Sequence, residues 1–343
     1  MKGFSNQSFV EKIDKSIGII IDELIDISPE HTKHLIEGLK EFVLRPGKRI
    51  RPVLLILSYQ GYGGSNIDDA ILFGSAIEIM HSFLLVHDDI VDESEIRRGE
   101  PTLHKLYEGT YKRQKLGKDL ALTVGDIVAF YVIRIIGKLD VGVDVLKRLI
   151  RVFSDCYVKT GYGQLLDILY SSNIDQDVLR TNIPEEICLL KTAYYTFVYP
   201  MLFGYILSGS EKGEEKKIVS LGEKIGVAFQ YRDDLYGIFG GEAKSANDIS
   251  EGKYTVLVKK AAECLEPKEQ AKFISILNKH DKSESDIKYV KSIIINSGSV
   301  EWLKEQITRL VKESIEELDE LSIFQDSKQE LENTFVEILK LPV

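Results

Sequence analysis

Apolar residues recur at intervals of three and four along most of the chain, as at Ile71, Leu72, Ile79, Phe83 and Val86. That is the period of a helix with a buried face. Alternating apolar and polar runs bounded by turn pairs, the mark of strands, are missing. Eight prolines in 343 residues are under half the average share, and they leave residues 102–183 and 201–266 open to uninterrupted helices. The pattern predicts an all-α protein.

Turn and charge clusters predict connections at residues 61–65, 97–101, 111–118, 171–177, 209–217 and 240–252. None reads as a linker, and neither a Pro/Ser-rich break nor a repeat divides the chain. Against a length prior of about 150 residues per domain, this predicts one large helical-bundle domain over residues 1–343. The last quarter reads as charged amphipathic helices, with mixed-sign runs such as 312–320 forming a solvated face.

The two longest apolar stretches, 71–86 and 120–137, carry Glu78 and His81 in one and Asp126 and Arg134 in the other. They read as core helices, with no transmembrane segment expected. Residues 1–9 lack the charged-then-apolar pattern of an export signal. A net charge of −10 argues against a general binder of nucleic acid or anionic lipid. Cys156, Cys188 and Cys264 are too widely spaced for a zinc or redox pair and odd in number, which points to a reducing, cytoplasmic setting.

Chemistry concentrates in two acidic segments. The first, from His81 through Asp88, Asp89 and Asp92, has a DDxxD pattern at the end of an apolar helix. At about 100° per residue, Asp92 and His81 fall within about 40° of Asp88, so the three share a face. Carboxylates one turn apart repel. They suit a divalent cation, since Mg²⁺ commonly takes one or two carboxylates plus substrate phosphate oxygens, although a solvated helix end would read the same way. The second segment, Phe229-Gln230-Tyr-Arg-Asp233-Asp234, repeats the arrangement, as if two helices faced one cavity with metal between them. Cations supply the complement: Lys48, Arg49 and Arg51 within GKRIRP, then Arg97, Arg98, Lys191, Lys244 and Lys253. Arg and Lys neutralise phosphate oxygens through charge-assisted hydrogen bonds, and their number suggests two diphosphate groups.

These motifs, with Gly125-Asp126, Gly163-Gln164-x-x-Asp167 and Lys191-Thr192, resemble those of trans-isoprenyl diphosphate synthases, the polyprenyl synthetase family, from about residue 40 to 260. The resemblance implies a single all-α bundle around a deep central cavity, usually homodimeric. It implies three Mg²⁺ ions on Asp88, Asp92 and Asp233, with Asp89 and Asp234 in support. Arg97, Lys191, Thr192, Gln230, Lys244 and Lys253 would bind an allylic diphosphate, and Lys48, Arg51, His81 and Arg98 would bind isopentenyl diphosphate. The implied reaction is ionisation of the allylic diphosphate and capture of the cation by the isopentenyl double bond. Asp88, Asp92, Lys191 and Asp233 would be its catalytic residues.

The second motif departs from the family by ending in Gly237, where a third aspartate is usual. The loop after Gly240 is also short, which leaves the match at Lys244 open. The family places chain-length control four and five residues before the first aspartate, at Leu84 and Phe83. That pattern implies geranylgeranyl diphosphate, with farnesyl or longer products as alternatives. Helical geometry separates the two positions, since Leu84 lies about 40° from Asp88 and Phe83 about 140° away. A terpene cyclase would need an NDxxSxxxE site, and here Glu251 and Thr255 stand where Ser and Glu are required. A non-catalytic prenyltransferase subunit would be expected to have lost an aspartate motif.

Overall fold

The computed structural model describes residues 6–240 and 247–340. In chain order its helices are α1 (Gln7–Ile27), α2 (Lys33–Leu44), α3 (Ile50–Gly61), α4 (Ile67–Val91), α5 (Leu103–Tyr111), α6 (Gln114–Ile136), α7 (Val143–Tyr170) and α8 (Ile183–Ile187). A π-helix (Cys188–Val198) follows, then α9 (Tyr199–Leu207), α10 (Glu215–Phe239), α11 (Asp248–Glu251), α12 (Val256–Glu263), α13 (Pro267–Leu277), α14 (Glu284–Asn296), α15 (Ser299–Asp319) and α16 (Gln325–Ile338). The regular exception to helix is a hairpin of two-residue strands, β1 (Ile96–Arg97) and β2 (Glu100–Pro101), paired antiparallel. It is too short to leave an alternating pattern.

Contacts divide the chain into two compact units, residues 1–151 with 203–210, and residues 152–202 with 211–343. In the first, α4 is packed by α1, α3 and α6. It is long and apolar enough to cross a membrane by length and composition, but two thirds of its most apolar window is buried in the fold. Polar Ser75, Glu78, His81 and Asp89 are buried with it. A helix apolar on nearly every face is a core helix when its neighbours are helices, and each fully buried Ile, Leu or Phe contributes roughly 1.5–3 kcal/mol.

In the second unit α10 packs against the π-helix and α15. Val300, Leu303, Ile307, Leu310 and Leu318 line the buried side of α15, which fits the amphipathic reading of the carboxyl-terminal quarter. The segment 111–118 differs from its expected turn. Only Lys112 and Arg113 fall outside helix there, because Lys115 pairs with Asp119 across one exposed turn of α6. Its polar residues are a solvated helix start.

Candidate active site

In the first unit, the GKRIRP segment enters α3 through Arg49, which has a left-handed φ of 47°. A non-glycine residue there is strained and needs support from its surroundings. Arg49 is buried and donates to Asp14 Oδ1 at 2.7 Å, Glu78 Oε1 at 3.1 Å, and the Val43 and Arg45 carbonyls at 3.0 and 3.1 Å. Its neighbours differ: Lys48 is exposed and Arg51 half-buried. The middle cation of the motif is therefore a structural clamp, while Lys48 and Arg51 on either side keep contact with solvent. That Arg49 is buried while Lys48 beside it is exposed leaves no mark in the sequence.

Arg98 Nη1 donates to the Arg45 carbonyl at 3.0 Å, which joins the β1–β2 hairpin to the segment before GKRIRP. His81 is buried on α4. Burial, then Arg51, Arg98, Arg97 and Arg49, push its pKa well below the ordinary histidine value, so it is a neutral imidazole at neutral pH.

The aspartates at the end of α4 point to different places. Asp88 and Asp92 are half-buried. Asp89 is turned inward, fully buried, and takes Arg97 through two nitrogens at 2.5 and 2.7 Å. Burial outweighs that pairing and holds the Asp89 carboxyl up at about 6. Arg97 Nη2 is also 4.0 Å from Asp88. Phe83 packs against His87 with ring centroids 4.4 Å apart and planes tilted by 55°, and both face Gly125 of α6. Phe83 thus lies on the α6 side of the helix.

In the second unit, Asp167 of α7 is the centre. It is buried, and its Oδ2 takes Lys191 Nζ at 2.6 Å and Lys253 Nζ at 3.1 Å. Burial opposes ionisation of this carboxyl, but the two lysines outweigh it and hold its pKa below the usual range. Lys191 and Thr192 lie on the π-helix, a rare form that is frequent at functional sites. Thr192 Oγ1 donates to Gln230 Oε1 at 2.5 Å, and Gln230 Nε2 donates to Asp234 Oδ1 at 2.7 Å. The amide of Gln230 is thereby oriented, and Asp234 is buried at its far end. Asp233 is half-buried and takes the guanidinium of Arg232, which also lies over the rings of Phe229 and Tyr236.

Position 237 meets Asp248 of α11. A Cβ there would come within 1.8 Å of the Asp248 Oδ2. The sequence placed Arg49 among the phosphate-complementing cations, whereas the structure turns it inward onto Asp14 and Glu78; in the sequence Asp167 stands only as part of a motif and Glu78 only as a polar break in a core helix. Lys244 lies outside the described residues. Among the described residues no three acidic, histidine or cysteine side chains are gathered as a metal-holding group. Asp89 takes Arg97, Gln230 donates to Asp234 and Asp233 takes Arg232; of the five motif acids, Asp88, Asp92 and Asp233 are half-buried and Asp89 and Asp234 buried.

A family model described as polyprenyl synthetase matches residues 32–294. A short chain isoprenyl diphosphate synthase of Methanothermobacter thermautotrophicus is 31% identical over 314 residues, covering 88% of this chain and 89% of that one. A geranylgeranyl diphosphate synthase of Sulfolobus acidocaldarius is 29% identical over 283 residues, covering 80% and 81%. The crystal structure of a geranylgeranyl pyrophosphate synthase from Corynebacterium glutamicum, complexed with isoprenyl diphosphate and magnesium, is similar at a TM-score of 0.88 and 26% identity, covering 97% of this chain and 99% of that one.

Proposed function

The chain belongs to the polyprenyl synthetase family, and on that premise we propose that it is a magnesium-dependent trans-prenyltransferase that joins isopentenyl diphosphate to an allylic diphosphate, with geranylgeranyl diphosphate as product. The observation that carries the reading is Asp167, where one carboxylate oxygen holds lysines from two distant segments. Two ammonium groups kept at one point can be taken over by the oxygens of a diphosphate. The names of the Sulfolobus and Corynebacterium proteins support the product.

Lys191, Lys253, Thr192 and Gln230 hold the allylic diphosphate in this reading, joined by Arg97 and Lys244. Lys48, Arg51, Arg98 and neutral His81 hold isopentenyl diphosphate. Asp88, Asp92 and Asp233 are the ligands for three Mg²⁺ ions, with Asp89 and Asp234 behind them. The donor set fits the ion, since a few hard carboxylates with the remaining positions left to phosphate oxygens are what Mg²⁺ takes. When bound, the metal supplies Lewis-acid stabilisation of the leaving diphosphate. The cationic side chains draw off the same developing charge. They also hold the two substrates in a reactive arrangement, and the apolar helices exclude water. Phe83 and Leu84 limit the tail.

The family match crosses both contact units, which supports one functional domain over residues 1–343. Ile127, Phe130 and Ile133 of α6, and Val158, Tyr162, Leu165 and Leu169 of α7, are exposed large side chains. Apolar stripes of this kind mark interaction surfaces, and they support a homodimer. The free cysteines support a cytoplasmic setting. The test is incubation of the purified chain alone with labelled isopentenyl diphosphate and each allylic primer, with and without EDTA, followed by chromatography of the dephosphorylated products. Label in a twenty-carbon alcohol that disappears with EDTA is the expected result. No incorporation by the chain alone would favour a non-catalytic subunit.

A further inference from the structure

The helices on either side of Lys191 and Thr192 each meet the π-helix backbone through a glycine. A Cβ on Gly163 of α7 would lie 2.3 Å from the Lys191 amide nitrogen and 2.7 Å from the Leu190 carbonyl carbon. One on Gly226 of α10 would lie 2.5 Å from both Cα and Cβ of Ala193. Real Cβ atoms do not approach so closely, and backbone atoms cannot rotate aside. A π-helix is wider than an α-helix because its bonds run from i to i+5, so ordinary side chains at these positions would hold it off.

One turn beyond each glycine stands a side chain that grips the π-helix. Asp167, four residues after Gly163, takes Lys191 at 2.6 Å, and Gln230, four residues after Gly226, takes Thr192 at 2.5 Å. Residues i and i+4 share a helix face. The glycine therefore sets how near the backbone comes, and the residue above it sets where the gripped side chain points. We propose that Gly163 and Gly226 are positioning residues for the allylic diphosphate, acting through Lys191 and Thr192. The inference rests on the reading of those two as allylic-site residues.

Gly222 supplies the contrast. Its Cβ would meet Val198 Cγ2 at 2.7 Å and Cα at 2.8 Å, at the far end of the π-helix. A Cβ there is also closer than real ones come, but its nearest atoms belong to Val198 and not to Lys191 or Thr192.

The experiment compares Gly163→Ala, Gly226→Ala, Gly222→Ala and Lys191→Ala for the KM of each substrate and for thermal unfolding. Calorimetric binding of a non-ionising thiolo analogue of the allylic diphosphate replaces kinetics where turnover is slow. Gly163→Ala and Gly226→Ala should raise the allylic KM or analogue Kd about tenfold, as misplacement of a binding group by a fraction of an ångström does. The KM for isopentenyl diphosphate should move less than about twofold, and Gly222→Ala should lower Tm while leaving the ratio of the two KM values unchanged. The proposal is overturned if all three alanine-for-glycine variants shift both substrates alike, or if Gly163→Ala and Gly226→Ala fail to fold while Gly222→Ala folds. If only one of the pair folds, its contrast with Gly222→Ala decides. Should Lys191→Ala raise the allylic KM while the glycine variants do not, this inference alone fails. Should Lys191→Ala leave it unchanged, the allylic-site reading fails and takes the inference with it.

Discussion

The carboxylate of Asp248 fills the space that a side chain at position 237 would need, with Oδ2 at 1.8 Å from where a Cβ would stand. An acid is thus present beside the second motif although residue 237 is glycine. It also reverses the obvious repair. Gly237→Asp, which would complete a DDxxD motif, should lower both turnover and Tm, since overpacking of a buried site costs roughly 1–3 kcal/mol. Gly237→Asp combined with Asp248→Gly should recover much of the Tm loss. Measuring Tm and prenyl transfer for wild type, the single variant and the pair checks this, and a gain of activity in Gly237→Asp alone would sink it.

Asp88 and Asp89, adjacent in sequence, should respond differently to removal. Asp88→Ala should abolish most Mg²⁺-dependent turnover, on the order of a hundredfold or more, with Tm near wild type. Asp89→Ala strips a buried carboxylate from Arg97, which keeps about a quarter of its side chain in solvent, so a cost on the order of 2 kcal/mol is expected. Thermal unfolding beside Mn²⁺ binding separates the two. Equal Tm losses would mean both acids are structural.

Arg51→Ala should raise mainly the KM for isopentenyl diphosphate, and Lys191→Ala mainly that for the allylic substrate. Steady-state kinetics with each substrate varied in turn measures the split. Matched losses for both substrates in both variants would contradict the assignment.

His81 links stability to pH. Its folded pKa is depressed, first by burial and then by the four arginines, whereas in the unfolded chain it titrates near about 6.5. The unfolded state therefore binds the extra proton, and stability is lost as pH falls below about 6.5. His87 and His104 are lowered as well, but both remain in a His81→Gln variant. The Tm of that variant should consequently fall less than that of wild type between about pH 7 and pH 5. A parallel decline would show that His81 is not held neutral.

Phe83→Ala should lengthen the product, because removing the ring opens the surface it shares with His87 and Gly125. Leu84→Ala should act in the same direction. Chromatography of dephosphorylated products gives the answer, and an unchanged distribution in both variants would move the limit elsewhere.

Much of this is written in the sequence. The helical period of α4, the interrupting Glu78 and His81, and the acids at its end predicted a core helix with a polar tip, and α4 is one. Lys191 and Lys253 were legible as phosphate-binding candidates through the motifs that resemble those of the polyprenyl synthetase family. Their meeting on Asp167 was not legible, since a position on α7, one on the π-helix and one between α11 and α12 converge only through tertiary packing. The π-helix also escaped, because its residues have an ordinary helical pattern and the glycines packed against it lie elsewhere in the chain. Arg49 and Lys48 are both basic, and only the left-handed backbone at Arg49 decides which one turns inward.

The shared oxygen on Asp167 sets a rule of exchange for whatever binds there. Two lysines already neutralised in part by one carboxylate present a net charge of about +1, so a ligand bearing a single negative charge can do little more than trade places with Asp167. A ligand with two or more anionic oxygens can satisfy both ammonium groups better than the carboxylate does, and only such a ligand gains by the swap. Inhibitors aimed at this pocket should therefore be ranked by anionic oxygens delivered to Lys191 and Lys253 before they are ranked by tail.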